Sequence, residues 1–559
     1  MRRTARLPIS VALAALLAMP AFAQHQGHDA GAMPLPDASA ERGLGTLTFP
    51  TSTRVPQAQA AFERGMRWLH LFEYEQAQAA FLEAQRLDPG FALAYWGESM
   101  TYTNGIWRMD DVDGGRKALA KLGPTPAARA AKAPTAREKA FLDTGERLSG
   151  PGTLDERLAG FLASATALAQ AWPDDDEAQL LRALALLGAD PKGRNDTNYA
   201  ESAKLSRAVL TRNPRHAGAA HYLIHAVDDP AHAAEGLDAA RTLEDIGPAS
   251  AHAQHMTSHI FFALGRWDDA IAANREANRI DEQARAAAKS LPVRCGHTYD
   301  WIQYAYYQAG RVREARQTLA DCIHDMGAVL AKMVMKTEIP AEAITMHQFE
   351  LGDSLLGLHA TALVEGGKDG TRDAAYRVDT GGNGRFGARD VFARGYVAAL
   401  NADYAGAKDL LAQLRATAAQ PVAANEYDPH LGETLGVQAD MLEALIDAGE
   451  GRMDAAIARV REAAKRNDAI PFQFGPPMTV KPPHELAGEL LLRQGKPAEA
   501  LAEFDASMKT APNRAQTLLG RANALKAMGD TAGADKAFAQ LAAQWHAADA
   551  KLPPELGTR

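Results

Sequence analysis

Cysteine is nearly absent: the 559-residue chain has only Cys295 and Cys322. A lone pair of this kind reads as one disulfide rather than a cysteine-rich framework, provided the compartment is oxidising. Positive charge is not in excess either. Sixty Lys and Arg face 69 Asp and Glu, for a net charge of −9, which excludes the clustered cationic surface that a nucleic-acid partner requires. Beyond the first 23 residues no apolar run is long enough to span a bilayer. Runs of β-branched residues are scarce, which argues against a sheet. No G-x-S-x-G elbow, phosphate loop or dinucleotide fingerprint occurs.

What is present begins with a processing signal. Arg2, Arg3 and Arg6 precede an apolar stretch from Leu7 to Met19, and Ala21-Phe22-Ala23 supplies the small residues that signal peptidase needs. Cleavage there would leave Gln24 first and lower the net charge from −9 to −12. The expected product is periplasmic or secreted, with no transmembrane segment.

Alanine abundance and apolar residues at three- and four-residue intervals indicate helix. A chain of this length exceeds what one core supports, so internal repeats are expected. Gly495, Ala500 and Phe504 are matched 34 residues later by Gly529, Ala534 and Phe538. Gly65, Ala77, Phe81, Ala84 and Pro89 share the spacing of Gly488, Ala500, Phe504, Ser507 and Pro512. Small residues let two helices approach, glycine turns the chain between them, and proline ends the second. These anchors resemble the tetratricopeptide repeat family. The resemblance implies an all-α fold of antiparallel helix hairpins stacked into a right-handed solenoid with a concave groove. Blocks such as Ala94–Thr101, Gly218–His225 with Ala253–Ile260, and Phe472–Pro477 with Lys481–Leu486 are also similar to a group of exported bacterial repeat proteins.

The expected organisation is a signal peptide over 1–23, a disordered leader over 24–55 and an N-terminal lobe over 56–364. A Gly/Asp-rich loop over 365–389 and a C-terminal lobe over 390–559 follow. In the repeat frame Cys295 and Cys322 fall at the open end of one hairpin, placed to bond.

Eight of the 17 histidines lie between His216 and His297. His221 and His225 are four apart, on one helix face, and adding the repeat length of 34 gives His255 and His259. Equivalent pairs on neighbouring first helices, 8–10 Å apart in typical packing, could converge on one ion in the groove. Asp228, His252, His297 and Asp300 are further candidate ligands or orienting groups. Imidazole suits zinc, copper or iron. The plainer alternatives are a peptide-contact surface or histidines satisfied within the helix interface. His484-Glu-Leu-Ala-Gly-Glu489 lacks the second histidine of a zinc peptidase, so Glu485 and Glu489 are expected in the groove, with part of Trp96. The expected function is a solenoid binding a protein, peptide or small ligand, with a histidine-rich metal site. The alternative is a metal-dependent hydrolase or oxidoreductase built on the same His/Asp cluster.

Overall fold

The structure, a computed structural model, describes residues 43–334, 354–366, 387–421 and 428–549. The expected signal peptide, residues 24–42 of the leader and residues 367–386 of the Gly/Asp-rich loop lie outside the described residues. Among the described residues nearly every regular element is helix. The exceptions are the two-residue strands Thr103–Asn104 and Met109–Asp110, paired antiparallel. No described helix is long and apolar enough to cross a membrane.

The helices form hairpins. Pro56–His70 packs on Tyr74–Leu87, Leu431–Gly449 on Met453–Asp468, Pro483–Arg493 on Pro497–Thr510, and Ala515–Ala527 on Thr531–Gln544. Side-chain caps set their starts: Thr135 with Glu138 and Thr153 with Glu156 make capping boxes, and Asp175 accepts from the Glu177 and Ala178 amides.

One packing device recurs at both ends of the chain. The Phe81 ring lies between Gly65 and Gly97, where added Cβ atoms would come within 2.6 and 2.4 Å of it. Phe504 lies likewise between Gly488 and Gly520, with hypothetical Cβ atoms 2.7 and 2.3 Å from its ring. Glycine is required there because nothing larger leaves room for the ring.

A second device is the turn inside each hairpin. Gly310, Gly451, Gly495 and Gly529 are left-handed, with φ of 69°, 87°, 78° and 82°. Each sits in the same frame, its amide donating three residues back and the next amide donating to the carbonyl four residues before the glycine. Ala402 and Phe72 occupy the same frame at φ of 61° and 57°. For a bulky L-residue that conformation costs about 1–2 kcal/mol.

The chain divides into two compact units. The N-terminal unit covers the described residues to Leu264 together with Ala272–Lys289, and the C-terminal unit holds Gly265–Ile271 and the described residues from Ser290 onward. This division differs from the lobes expected from the Gly/Asp-rich loop. Residues 43–55, expected in a disordered leader, are part of the first core. Leu44 and Phe49 are fully buried, and the Phe49 ring lies 5.0 Å from Phe62 and 4.9 Å from Phe141. Leu44, Leu47 and Phe49 supply apolar surface that a polar leader would lack, which is why the segment packs. In the C-terminal unit Cys295 and Cys322 stand at disulfide distance, with Cα atoms 4.8 Å apart.

Candidate metal centre

In the N-terminal unit two helices carry the histidines. His216 caps Ala217–Val227, its Nδ1 accepting from the Ala219 amide at 3.3 Å. Ser250 caps Ala251–Ala263 by accepting from the Ala253 amide. The caps start the helices so that His221 and His225 on one, and His255 and His259 on the other, lie one turn apart. Ring centroids form a continuous row: His252 to His221 5.1 Å, His221 to His225 4.9 Å, His225 to His259 5.3 Å, His259 to His255 5.1 Å.

The hydrogen bonds assign tautomers along the row. His221 Nδ1 donates to the His70 carbonyl at 2.7 Å, an acceptor only, so the His221 lone pair is on Nε2. That Nε2 lies 3.2 Å from His252 Nε2. Two imidazole nitrogens at about 2.0–2.1 Å from a shared tetrahedral ion stand about 3.3 Å apart. His259 Nδ1 donates to Asp228 Oδ2 at 2.9 Å, and His225 Nδ1 faces the same oxygen at 3.7 Å. His255 Nδ1 donates to Asn274 Oδ1 at 2.7 Å. Anchoring one ring nitrogen so that the other presents a lone pair is how proteins orient metal-binding histidines.

Asp228 is itself held. Arg194 donates to its Oδ1 at 2.8 Å, to Asp229 Oδ2 at 2.5 Å and to the Ala226 carbonyl at 3.2 Å, while stacking on the Tyr199 ring. Burial pushes the Asp228 carboxyl up, but His225, His259 and Arg194 outweigh it and hold the group well below the usual carboxylate range. Burial and the neighbouring His225 take His221 well below the ordinary imidazole value, and burial takes His259 down to about 4 despite its bond to Asp228. Both are therefore neutral, the ligating form, at physiological pH.

Among the described residues of this unit, potential ligand atoms close to within 4.8 Å of one another in three sets. These are His221–His225–His252, His225–Asp228–His259 and His70–Glu177–His216. The four histidines expected to surround one ion do not form a single set. His252, one turn before His255, is the residue that faces His221, whereas His225 and His259 meet in the repeat register at 5.3 Å. His70–Glu177–His216 is a closed hydrogen-bond network. His70 Nε2 and His216 Nε2 donate to the two Glu177 oxygens at 2.8 and 2.9 Å, and the Tyr222 hydroxyl lies 2.9 Å from His70 Nδ1. His216 Nδ1 already accepts from the helix, which fixes its Nε2 as a donor rather than a ligand.

Nor does the row line an open groove. His221, His225, His255 and His259 are all at most 1% exposed, and only His252 is half-buried. The Phe72 ring covers them, 4.5 Å from His221, 5.6 Å from His252 and 6.1 Å from His225. His297 and Asp300, expected as completing ligands, lie in the C-terminal unit. The His297 ring is 5.3 Å from Trp301, and Asp300 Oδ1 accepts from Ser354 Oγ at 2.9 Å.

Of the expected groove residues, Trp96 and Glu485 are interior and Glu489 is half-buried. Trp96 is fully buried and donates from Nε1 to Thr144 Oγ1 at 3.0 Å. Glu485 is fully buried, gripped by Arg514 through two 2.8 Å bonds, by Lys481 at 2.7 Å and by Thr517 at 2.5 Å. Glu489 accepts from Lys481 at 2.8 Å. Their positions on first helices match a groove, but buried Lys481 and Arg514 draw the carboxylates inward.

Sequence reasoning missed the His70 carbonyl, Phe72, Arg194 and Asn274. Phe72 did leave a signal, a bulky residue where four other hairpins hold glycine and one holds alanine. Arg194 stands one repeat length, 34 residues, before Asp228.

The fold defines the class: a protein built of repeated antiparallel helix hairpins. No known family matches the chain and no curated protein is a detectable relative. Among solved structures, yeast Tom70 is 14% identical over 88% of this chain and 93% of its own, with a TM-score of 0.26. The human IFIT1 dimer is 12% identical over 91% and 99%, with a TM-score of 0.35. The P58(IPK) TPR domain is 13% identical over 85% and 99%, with a TM-score of 0.21. Likeness at this level extends to no site or activity. The class rests on the chain's own hairpins, turns and Gly–Phe–Gly contacts.

Proposed function

We propose that the chain is an exported helical-repeat binding module that holds one transition-metal ion on His221, His225 and His252. Asp228, Arg194 and the His70 carbonyl act as its orienting groups. The observation that carries the reading is the 3.2 Å separation of His221 Nε2 and His252 Nε2, with His221 Nδ1 committed to a backbone carbonyl. His225 completes a three-nitrogen set suited to zinc, copper or iron. The basic head and Ala21-Phe22-Ala23 support export, and the Cys295–Cys322 pair fits an oxidising compartment. The repeats themselves are the surface for a protein, peptide or small ligand.

A second reading has one observation in its favour. Three protein nitrogens leave a coordination position open, the arrangement of water-activating centres. Burial of His221 and His225 favours a held ion over a turning-over one.

Elemental analysis and zinc titration of protein purified without a histidine tag test the proposal. One equivalent is expected, and the double substitution His221→Ala, His252→Ala removes it, whereas His430→Ala with His546→Ala does not. Unchanged stoichiometry in the first double variant overturns the site.

A further inference from the structure

The turn at Phe72 is anomalous in two independent ways. Its backbone adopts the left-handed conformation, φ 57°, in the hydrogen-bond frame where Gly310, Gly451, Gly495 and Gly529 serve other hairpins. A phenylalanine gains nothing from that conformation, and glycine would occupy it without strain. Its ring, however, is the group that contacts His221, His225 and His252 together, at 4.5, 6.1 and 5.6 Å. The same ring also borders a small cavity of about 30 Å³, lined in addition by His70, Tyr74, Tyr222, Met66 and Met100. Strain kept at one hairpin turn, with the strained side chain laid over a cluster of ligating groups, is backbone energy spent on a site rather than on the fold.

We infer that Phe72 is a positioning residue that closes the histidine row, controlling access to His221 and His225 and the rate at which an ion leaves them. The inference about ion release rests on the metal reading above; the inference about cover does not. The ring excludes water from the imidazoles and blocks the approach of competing ligands.

The test uses the full-length mature protein with Phe72→Gly, Phe72→Asn and Phe72→Tyr. Glycine and asparagine both tolerate a left-handed turn, so folding is preserved by one if not the other, and tyrosine retains the ring. Ala402→Gly, at the equivalent turn of another hairpin, is the control for turn relaxation alone. The first readout is carbethoxylation of His221 and His225 by diethyl pyrocarbonate in metal-free protein, mapped by peptide mass. The second is the rate of zinc transfer from loaded protein to a chelator. Phe72→Gly and Phe72→Asn are expected to raise both rates at least about tenfold, with Phe72→Tyr and Ala402→Gly near wild type. Folded Phe72→Gly or Phe72→Asn protein whose His221 and His225 react no faster than wild type overturns the inference. If the wild type binds no zinc, the metal reading falls, and the carbethoxylation rates alone decide whether Phe72 is the cover.

Discussion

Glu485 shows what a single buried charge does in this protein. Burial pushes its carboxyl up, but Arg514 and Lys481 hold it well below the usual range. Arg514 also reaches Glu365 Oε1 at 2.6 Å and the Tyr304 hydroxyl at 2.8 Å, so one guanidinium ties together segments 210 residues apart. Removing one partner of such a set strands the rest, and Glu485→Ala is expected to cost about 3–5 kcal/mol in urea unfolding. The sign with pH follows from the depressed value. The carboxylate contributes stability in full above the ordinary pKa near 4.3, and loses it as pH falls through the folded value. The gap between wild type and Glu485→Gln should therefore be constant from about pH 6 to 8 and narrow below about pH 4. A gap that widens in acid would contradict this assignment of charge. None of the network was legible from spacing. Glu485 and Glu489 read as groove residues because they lie four apart in the repeat register of the histidine pairs, and nothing local to Lys481 or Arg514 indicates that both are buried.

At the level of helices the sequence was far more readable. Gly65, Phe81, Gly488 and Phe504 were identified from recurrence alone, and each takes part in the Gly–Phe–Gly contact. A methyl group at Gly65 or Gly488 would fall 2.6 or 2.7 Å from an aromatic carbon. Gly65→Ala and Gly488→Ala are each expected to destabilise by about 1–3 kcal/mol through overpacking, whereas Gly193→Ala, which meets nothing within 4 Å, loses only what its φ of 92° demands. Equal melting temperatures for Gly65→Ala and wild type would show that the ring moves aside freely. The paired histidines were legible for the same reason, since they recur at the repeat length. What recurrence could not give was that His252 rather than His255 meets His221, although His225 and His259 do meet in the repeat register. His255 is held instead by Asn274, a side chain outside the recurring pattern.

The whole molecule consists of two compact units with separate cores: one cluster runs from Leu44 to Ala263, another from Ala360 to Ala524. The cysteine pair belongs to the C-terminal unit and is 27 residues apart in sequence. A bridge closing a loop of that size contributes about 3.6 kcal/mol in the chain-entropy treatment. Two calorimetric transitions are expected, of which a reducing agent lowers only the one assigned to the C-terminal unit. Thiol titration of unfolded, unreduced protein should find no reactive cysteine. Two titratable thiols, or an equal fall in both transitions, would contradict the pairing.

The histidine pairs stand 34 residues apart, one on each of two successive copies of the same hairpin pattern, so the ligand set sits on a seam between copies and inside neither. A seam has properties that its parts lack. Each copy could be duplicated, borrowed or drift in sequence and still fold as a hairpin, but the proposed ion would have a home only while these two remain neighbours in this order. The proposed capacity to hold metal is thus a property of adjacency. A repeat protein that inserts or deletes whole units can gain or lose it in one genetic step, without first acquiring a single new histidine.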